Sequence, residues 1–288
     1  MKGIVLAGGS GSRLYPMSLA TSKQLMPVYD KPMIYYPIST LMLAGIREIL
    51  IITTEEHQSD FKRLLGSGDK WGVSFTYKIQ PEPKGIAEAF LLGESFIDGE
   101  ACALILGDNL FYGGGLGESL RARTASQEGA LIFCQEVQDP ERYGVVEIAA
   151  SGEVVSIEEK PAKAKSNLAA TGLYFYDSQV VAKAKSLRPS NRGELEISDL
   201  NNLYLEAGML EAEVLQRGAV WLDTGTVDSL NSAAEFVRVI QERQGFKIGA
   251  PEEVAWRMGY ISSEQLGQVA KSLPNSDYKE YLISLLSR

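Results

Sequence analysis

Short apolar runs alternate with helical patterns along the first half of the chain. Runs rich in β-branched residues predict strands at 2–7, 48–53, 74–79 and 101–106. Amphipathic segments predict helices between them, at 31–44, 56–65 and 84–97. This alternation is typical of an α/β fold in which a mostly parallel sheet is covered by helices on both faces. Ligands of such sheets bind beyond the carboxyl ends of the strands, so we expect functional residues there.

The second half continues with a mixed pattern that predicts a second lobe. Runs at 143–148 and 153–158 are joined by residues 149–152 (AASG), which predicts an antiparallel hairpin. Residues 168–176 continue this mixed pattern, with strands expected at 211–216 and 219–222 and helices at 195–207 and 226–243. From Pro251 onward the pattern is helical, and its apolar residues are expected to pack onto the body of the protein: Trp256, Met258, Tyr260, Leu282 and Leu286. We therefore predict a main domain over 1–250 and a C-terminal helical segment, expected to form an interface, over 251–288.

A glycine-rich loop follows the first predicted strand. Residues 3–7 (GIVLA) lead into residues 8–13 (GGSGSR). Before Asp30 the chain contains Lys2, Arg13 and Lys23 but no Asp or Glu, although the net charge of the whole protein is −9. Glycine lets the backbone approach a ligand closely, and the N–H groups of such a loop can surround phosphate oxygens. A cationic loop in an acidic protein predicts a small anionic ligand.

Two familiar glycine motifs fit this loop only in part. The dinucleotide-binding fingerprint requires a third glycine where the chain has Leu14, and Asp30, near the position of the ribose-binding acid, is followed by Lys31 and Pro32. The phosphate loop that ends in a lysine has the spacing of Gly3 and Gly8, but no lysine closes it. A nicotinamide-dependent oxidoreductase is therefore disfavoured and kept as an alternative.

Composition excludes several classes of protein and partner. With 288 residues, 45% of them hydrophobic and 23% charged, the chain is that of an ordinary globular protein. It has no apolar run near the ~18 residues that a membrane span needs and no signal peptide, so we expect a cytoplasmic protein without a membrane partner. The acidic balance argues against nucleic acid as a partner, because binding that backbone needs a broad basic face.

The counts of histidine and cysteine narrow the chemistry further. His57 is the only histidine, at a predicted helix start on the surface, and Cys102 and Cys134 lie inside apolar runs that are typical of a core. Zinc enzymes, Ser-His-Asp hydrolases and Cys-His proteases are therefore disfavoured. The reaction is expected to rely on carboxylates, cations and a metal ion held by oxygen atoms.

Polar residues that end apolar runs are the candidates for this chemistry. Asp108 and Asp223 each follow a predicted strand, and such carboxylates can hold Mg²⁺ beside phosphates, because this ion takes one or two protein oxygens. The segment 158–161 (EEKP) and Arg192 combine acids with cations. A sugar phosphate needs both, a carboxylate for its hydroxyls and a cation for its phosphate.

Together these motifs resemble the sugar nucleotidyltransferase family over nearly the whole chain. The resemblance rests on residues 6–14, 22–27, 106–109, 141–146, 158–161, 171–176, 192–197 and 221–225. It implies a Rossmann-like mixed sheet with a sugar-binding lobe, divided into a nucleotide-binding part over about 1–130 and a sugar-phosphate-binding part over 131–225. It implies transfer of a thymidylyl group from dTTP to α-D-glucose 1-phosphate with Mg²⁺, giving dTDP-glucose and pyrophosphate, the first step of dTDP-L-rhamnose biosynthesis. A homotetramer with feedback inhibition by dTDP-L-rhamnose at a second site is implied as well.

By position, the resemblance also implies site residues. Those implied for the nucleotide are Leu6, Gly8, Gly9, Gly11, Ser12, Arg13, Lys23, Gln24, Gln80, Pro83, Gly85 and Asp108. Those implied for the sugar phosphate are Asn109, Tyr143, Gly144, Glu159, Lys160, Ala170, Tyr174 and Arg192. The metal ligands would be Asp108 and Asp223, and the catalytic residues Arg13, Lys23, Asp108, Lys160 and Asp223. Ser12, Lys84, Leu168 and Ala170 depart from the family pattern, the last two in the sugar pocket.

The expected mechanism needs no general base, which agrees with the single histidine. A sugar phosphate oxygen is already largely ionised at neutral pH, because the second pKa of a phosphate is about 6. Positioning and charge neutralisation then suffice for direct displacement at the α-phosphorus. Two alternatives stay open beside the oxidoreductase: a UTP- or CTP-dependent enzyme, and a sensor that binds a nucleotide sugar without turnover.

Overall fold

The computed structural model describes residues 1–9, 11–125 and 128–287, so Ser10 of the glycine-rich loop lies outside it. The strands are β1 Lys2–Ala7, β2 Pro27–Val28, β3 Lys31–Pro32, β4 Glu48–Thr53, β5 Ser74–Ile79, β6 Cys102–Leu106, β7 Asn109–Tyr112, β8 Ala130–Glu136, β9 Gly144–Ile148, β10 Val154–Glu159, β11 Leu168–Tyr176, β12 Leu210–Val214 and β13 Val220–Asp223. The helices are α1 Tyr35–Leu43, α2 Gln58–Leu65, α3 Glu88–Leu92, α4 Glu94–Ile97, α5 Leu116–Thr124, α6 Val180–Ser186, α7 Ile197–Glu206, α8 Val227–Gln244, α9 Pro251–Arg257, α10 Ser263–Ser272 and α11 Asp277–Leu285.

One large sheet organises these elements. Its main path runs β10-β9-β11-β6-β1-β4-β5, and β8 joins β11 to β12. The first-half strands β6, β1, β4 and β5 are mutually parallel, whereas β11 runs antiparallel to β6, β8 and β9. The predicted α/β sheet is therefore parallel in its first half and mixed in its second.

Local pattern predicted most of the elements, but it gave no prediction for β2, β3, β7, β8, α5 or α6. The strands at 2–7, 48–53 and 74–79 have the expected bounds, and the predicted hairpin is the β9–β10 pair. The expected helix at 31–44 begins only at Tyr35, because Lys31 and Pro32 pair in the short β2–β3 hairpin. The expected helix at 84–97 starts only at Glu88. The Lys84 carbonyl and the Ala87 amide instead form hydrogen bonds with the backbone of Leu195.

Apolar residues cover both faces of the sheet, as alternation along each strand requires. Val5, Ile51 and Ile105 belong to one buried cluster, whose helical side comes mainly from α1, α2 and α9–α11. Their neighbours Ile4 and Leu104 belong to a second cluster on the other face, with residues of α3, α6 and α7. Burying each large side chain contributes about 1.5–3 kcal/mol to folding. Helices therefore cover both faces of the sheet, so a ligand can reach the sheet only at the ends of its strands.

The C-terminal helices pack against the first face of the sheet. Leu282 is fully buried, and Trp256, Met258 and Tyr260 are partly buried against the same cluster. The Tyr260 hydroxyl also donates to the Met42 carbonyl in α1 at 2.9 Å. These four residues pack as predicted, whereas Leu286 is 40% exposed and lies at the edge of α10, where a Cβ at Gly267 would be 3.4 Å from it. Within the described residues, no helix is long and apolar enough to cross a membrane.

A second, two-stranded ribbon places polar residues over the carboxyl edge of the large sheet. In this ribbon β13 pairs antiparallel with β7, with Asp223 opposite Asn109. Thr224 then bonds the Asp108 carbonyl twice, with its amide at 3.1 Å and its hydroxyl at 2.7 Å. A capping box between Thr226 and Ser229 starts α8 directly afterwards. The ends of β6 and β13 are therefore held side by side.

Candidate active site

A cavity of about 330 Å³ lies at this edge, within the size range of small-molecule sites. It is lined by ten residues that the sequence predicted: Arg13, Asp108, Asn109, Tyr143, Gly144, Glu159, Lys160, Ala170, Tyr174 and Asp223. Six further lining residues were not predicted: Ile86, Leu106, Arg142, Gly172, Ile197 and Trp221. Groups from both halves of the chain thus meet around one space.

Lys23 and Asp108 form an ion pair beside this cavity. The Lys23 amine bonds the Asp108 carboxylate, and the two side chains are only 13% and 14% exposed. The Asn109 amide donates to the other Asp108 oxygen at 3.0 Å. Asp108 is deeply buried, which by itself would raise its pKa, but Lys23 and the Asn109 bond outweigh burial and lower the pKa of this carboxyl. Asp108 is therefore held in its ionised form.

The pKa of Asp223 is shifted in the opposite direction to that of Asp108. Burial and then the negative charge of Asp108 raise the pKa of Asp223, against the lowering influence of Lys23, Arg13 and Arg142. The two carboxylates therefore lie close enough for the charge of one to act on the other. Within the described ranges, no group of three or more His, Cys, Asp or Glu residues is arranged to hold a metal ion. A cation placed here would draw its remaining ligands from water or from phosphate, as Mg²⁺ commonly does.

Arg13 follows the glycine-rich loop in a short 3₁₀ turn, Ser12–Leu14, and reaches toward the carboxylates. A Cβ added at Gly225 would lie 2.9 Å from both the Arg13 guanidinium and the Asp223 Oδ1 atom, so all three groups are close together. Arg13 is exposed and has no ion pair within 4.0 Å in the part of the chain that the structure describes. Its charge is available to an anionic ligand.

The glycine-rich loop packs against two glutamines. A Cβ at Gly8 would collide with the Oε1 atom of Gln80, and the Gln80 Nε2 atom donates to Glu88 Oε2 at 2.7 Å. The Gln24 amide approaches the Gly8 carbonyl at 3.4 Å, and the Ser22 hydroxyl donates to Gln24 Oε1 at 2.7 Å. Both glutamines are buried. Gly8 is thus needed for close packing rather than for an unusual backbone angle.

Replacing Gly8 with Ala is expected to weaken nucleotide binding with little loss of stability. The new Cβ displaces only the far end of the flexible Gln80 side chain, so the loss should be about 1 kcal/mol, the low end of the cost of overpacking. If Gln80 contacts the base, as we propose below, KM for the nucleotide should rise about tenfold, the effect of losing about 1.4 kcal/mol. Steady-state kinetics and thermal unfolding of G8A, Q80A and the double variant check this. A Gly8→Ala effect that persists fully in the Gln80→Ala background would contradict it.

Residues predicted for the sugar phosphate come together from β9, β10 and β11 and the turns beside them. The Ser198 hydroxyl donates to Glu159 Oε2 at 2.7 Å, and Lys160 Nζ lies 3.6 Å from the other Glu159 oxygen. Lys160 has a left-handed φ of 43° and its amide donates to the Tyr143 carbonyl at 3.0 Å, which fixes the turn. Tyr174 is buried, and burial raises the pKa of its hydroxyl, so it stays protonated. A carboxylate and a cation thus stand side by side at the cavity wall.

Comparison with known proteins agrees with this arrangement. A family model described as nucleotidyl transferase matches residues 2–239. The chain belongs to this family. The glucose-1-phosphate thymidylyltransferases of Neisseria meningitidis serogroup A and Mycolicibacterium smegmatis are 54% and 55% identical to it over 288 residues, with both chains of each pair fully covered. The family expected from the sequence motifs is confirmed.

Solved structures show the same fold. A Bacillus anthracis protein assigned as a glucose-1-phosphate thymidylyltransferase, solved in complex with a sucrose, matches with a TM-score of 0.77 and 46% identity, over 83% of this chain and 95% of that chain. A UDP-glucose pyrophosphorylase complexed with UDP-glucose matches with a TM-score of 0.70 and 26% identity, over 83% and 98% of the two chains. The predicted Rossmann-like α/β fold is confirmed.

In this nucleotidyl transferase fold, several predicted residues lie outside the cavity lining. The loop residues Leu6, Gly9, Gly11 and Ser12 end or follow β1, Pro83 and Gly85 lie in the connection from β5 to α3, and Arg192 precedes α7. A Cβ at Gly85, whose φ is 101°, would collide with the Leu195 backbone, so this glycine serves a close approach of two segments.

Two polar residues of the cavity, Trp221 and Arg142, were not predicted from the sequence, although each lies close in sequence to a residue that was. Trp221 lies two residues before Asp223 on β13, and side chains that are two apart on a strand share a face. Its indole N–H donates to the Asn109 side chain. Arg142 directly precedes Tyr143, stacks on that ring at 5.5 Å, and pairs with Asp139 at 2.7 Å. It adds a third cation, with Arg13 and Lys160, to the lining.

The remaining sequence inferences concern residues away from the cavity. Cys102 and Cys134 are buried and unpaired as expected, and burial raises the pKa of both thiols, that of Cys134 to about 12. His57 precedes α2 as predicted, but its side chain is only 15% exposed and lies 3.8 Å from Asp60. It is therefore less of a surface residue than expected.

Proposed function

We propose that this chain transfers a thymidylyl group from dTTP to α-D-glucose 1-phosphate, giving dTDP-glucose and pyrophosphate. The proposal rests on one observation, which is that two groups of residues line the same cavity. The first group is Asp108, Asp223 and Arg13, and the second is Glu159 and Lys160. The first group suits a polyphosphate with a metal ion, and the second suits a sugar phosphate. The names of its relatives support dTTP and glucose 1-phosphate as the substrates.

The reaction we propose is a direct in-line displacement. An ionised oxygen of glucose 1-phosphate forms a bond to the α-phosphorus of dTTP, and the bond from that phosphorus to the oxygen bridging to the β-phosphate breaks, releasing pyrophosphate. Lys23 neutralises charge on the α-phosphate, Arg13 holds the triphosphate, and Lys160 holds the sugar phosphate. Arg142 adds positive charge at the same wall. No protein group has to remove a proton, because the attacking oxygen is already ionised.

Nucleotide and sugar are assigned to separate walls. Gly8, Gly11 and Ser12 would surround the triphosphate, with Gln24, Gln80, Pro83 and Gly85 at the nucleoside. Gly144, Glu159, Tyr174 and the backbone at Ala170 would meet the sugar, with Asn109 and Tyr143 beside them and Arg192 on its phosphate. In the domain division that we propose, residues 1–130 supply the nucleotide wall and also Asn109, and residues 131–225 supply the rest of the sugar wall, in a main domain that ends near 250.

We propose Mg²⁺ as the metal, held by Asp108 and Asp223. Their donor set fits, because two carboxylates offer the hard oxygen ligands that this ion prefers. The pKa of Asp223 is raised by burial and then by the charge of Asp108, and a bound cation would offset the second of these effects. When bound, the ion would neutralise phosphate charge and orient the triphosphate.

Pyrophosphate release from glucose 1-phosphate with dTTP, UTP, CTP and ATP in turn tests the proposal. We expect dTTP to give the highest kcat/KM. UTP should be used more weakly, because the missing methyl group is worth about 1–3 kcal/mol in an apolar pocket. UTP is the second candidate, since the UDP-glucose pyrophosphorylase shares the fold. A better rate with another nucleotide would overturn the dTTP assignment, and binding without pyrophosphate release would favour the sensor. A chirally labelled α-phosphate should be inverted, whereas retention would indicate a nucleotidyl-enzyme.

The proposal extends to assembly and regulation. We propose a homotetramer, with the 251–288 segment at an interface, that is inhibited by dTDP-L-rhamnose. Family resemblance supports both parts. Light scattering at several protein concentrations and inhibition assays with dTDP-L-rhamnose check them separately.

A further inference from the structure

Arg192 is held by a buried carboxylate. Its Nε and NH2 atoms donate to Glu196 Oε1 and Oε2 at 3.2 and 2.8 Å, which is the two-pronged geometry that makes guanidinium–carboxylate pairs strong. The Ser190 hydroxyl donates to Glu196 Oε1 at 2.7 Å and accepts from the Arg192 amide at 3.2 Å. Glu196 therefore fixes the arginine side chain, and Ser190 connects that carboxylate to the arginine backbone.

Glu194 offers a natural contrast on the same loop. It meets Arg192 by a single contact of 3.3 Å, and its side chain is 37% exposed. The Glu196 side chain is 11% exposed. Exposed ion pairs contribute little, whereas a bidentate pair with a buried carboxylate holds a defined geometry even though the Arg192 side chain is 46% exposed. The two carboxylates on Arg192 are thus expected to differ in importance although they are only two residues apart.

The segment around Glu196 is anchored to both predicted substrate walls. One Arg192 nitrogen lies 4.0 Å from Glu159 Oε1, and Ser198, two residues after Glu196, donates to the other Glu159 oxygen at 2.7 Å. On the nucleotide side, the Leu195 amide donates to the Lys84 carbonyl at 2.7 Å, and the Ala87 amide donates to the Leu195 carbonyl at 3.1 Å. Arg192 is therefore placed at the rim of the cavity by contacts on each side.

We propose that Glu196 is a positioning residue that presents the Arg192 guanidinium to the phosphate group of the sugar phosphate. The inference rests on the proposed function, because it takes a sugar phosphate as the ligand of this wall. Glu196 itself is directed at Arg192 and Ser190 and does not line the cavity. Its effect is thus expected on binding of the sugar phosphate and not on binding of the nucleotide.

The test compares Glu196→Gln with the matched control Glu194→Gln. E196Q should raise KM for glucose 1-phosphate about tenfold and change KM for dTTP less than twofold, whereas E194Q should change neither by more than twofold. Thermal unfolding shows whether E196Q is folded. If it is not, Ser190→Ala, which removes the hydroxyl between Glu196 and the Arg192 backbone, should raise KM for glucose 1-phosphate in the same direction by about threefold.

An Arg192→Ala background separates positioning from a general structural role. If Glu196 acts through Arg192, E196Q should have no further effect on KM for glucose 1-phosphate in R192A. An undiminished effect there, or equal effects of E196Q and E194Q, would overturn the proposal. A lower KM for glucose 1-phosphate in E196Q would also overturn it, because the Glu196 carboxylate would then compete with the sugar phosphate for Arg192. Failure of the wild-type protein to turn over dTTP with glucose 1-phosphate would count against the proposed function instead.

Discussion

Replacing Asp223 with Asn is expected to lower turnover strongly and, in the absence of metal, to stabilise the fold. Burial and the charge of Asp108 raise the pKa of Asp223 above its ordinary value. When the pKa of a carboxyl is higher in the folded state than in the unfolded state, ionising it costs folding free energy. Below the unfolded-state pKa there is no such cost, and the cost grows as the pH rises through the folded-state pKa. Asn removes that cost at neutral pH, with a gain of about 2–4 °C in Tm for each 1 kcal/mol.

The same substitution removes a proposed metal ligand, so kcat should fall about 10³-fold, a loss of several kcal/mol of transition-state stabilisation. Asp108→Asn is the matched control. It should lose a similar amount of activity but lower stability by about 3 kcal/mol, because the Lys23 amine, whose side chain is 13% exposed, would lose its carboxylate partner. Thermal unfolding in EDTA and pyrophosphate-release assays check both variants. Destabilisation of D223N, or turnover near the wild-type rate, would contradict the prediction.

Replacing Lys23 with Met is expected to lower kcat about 10³-fold. It should also reverse the pH dependence of the contribution that Asp108 makes to the free energy of unfolding. The kinetic loss follows if Lys23 neutralises charge at the α-phosphate, where one well-placed donor contributes about 10²–10³-fold. The stability effect follows from Asp108, whose pKa Lys23 lowers. In the wild type, this pair stabilises the fold above the unfolded pKa of the carboxyl, and the contribution is lost as pH falls through the folded value.

Without Lys23, burial dominates and the Asp108 pKa should rise. Metal-free K23M should therefore gain more stability than the wild type as the pH is lowered from about 8 to about 5, because Asp108 then adds to the gain that Asp223 gives in both proteins. Denaturant unfolding at a series of pH values in EDTA measures this. Lys23→Arg keeps the charge and should keep the wild-type trend. A K23M variant with the wild-type pH trend would show that Asp108 finds another cation.

Sequence pattern predicted the parts of the site that lie at the ends of locally recognisable elements. Runs at 48–53 and 74–79 are apolar and β-branched, so their strand character is local, and the parallel arrangement follows from the intervening helices. The residues after β1, β5 and β6 therefore had to share an edge, which brings Gly8, Gln80 and Asp108 together. Family resemblance supplied the sugar-side residues, which have no local signal of this strength.

The tertiary structure decided what depends on contacts between distant segments. The β7–β13 ribbon sets Asp223 beside Asp108, and their different pKa directions arise because only Asp108 has Lys23 as a partner. Arg142 and Trp221 became cavity residues only when β9 and β13 met at the same wall.

By itself, then, the sequence determined the alternating strands and helices, the glycine-rich loop after β1 and the presence of a single histidine, because these depend on local periodicity and residue type. Only the folded chain decided which carboxylate is neutralised, which cations face the cavity and which carboxylate holds Arg192. The physical reason is that burial and charge pairing are set by neighbours far apart in sequence.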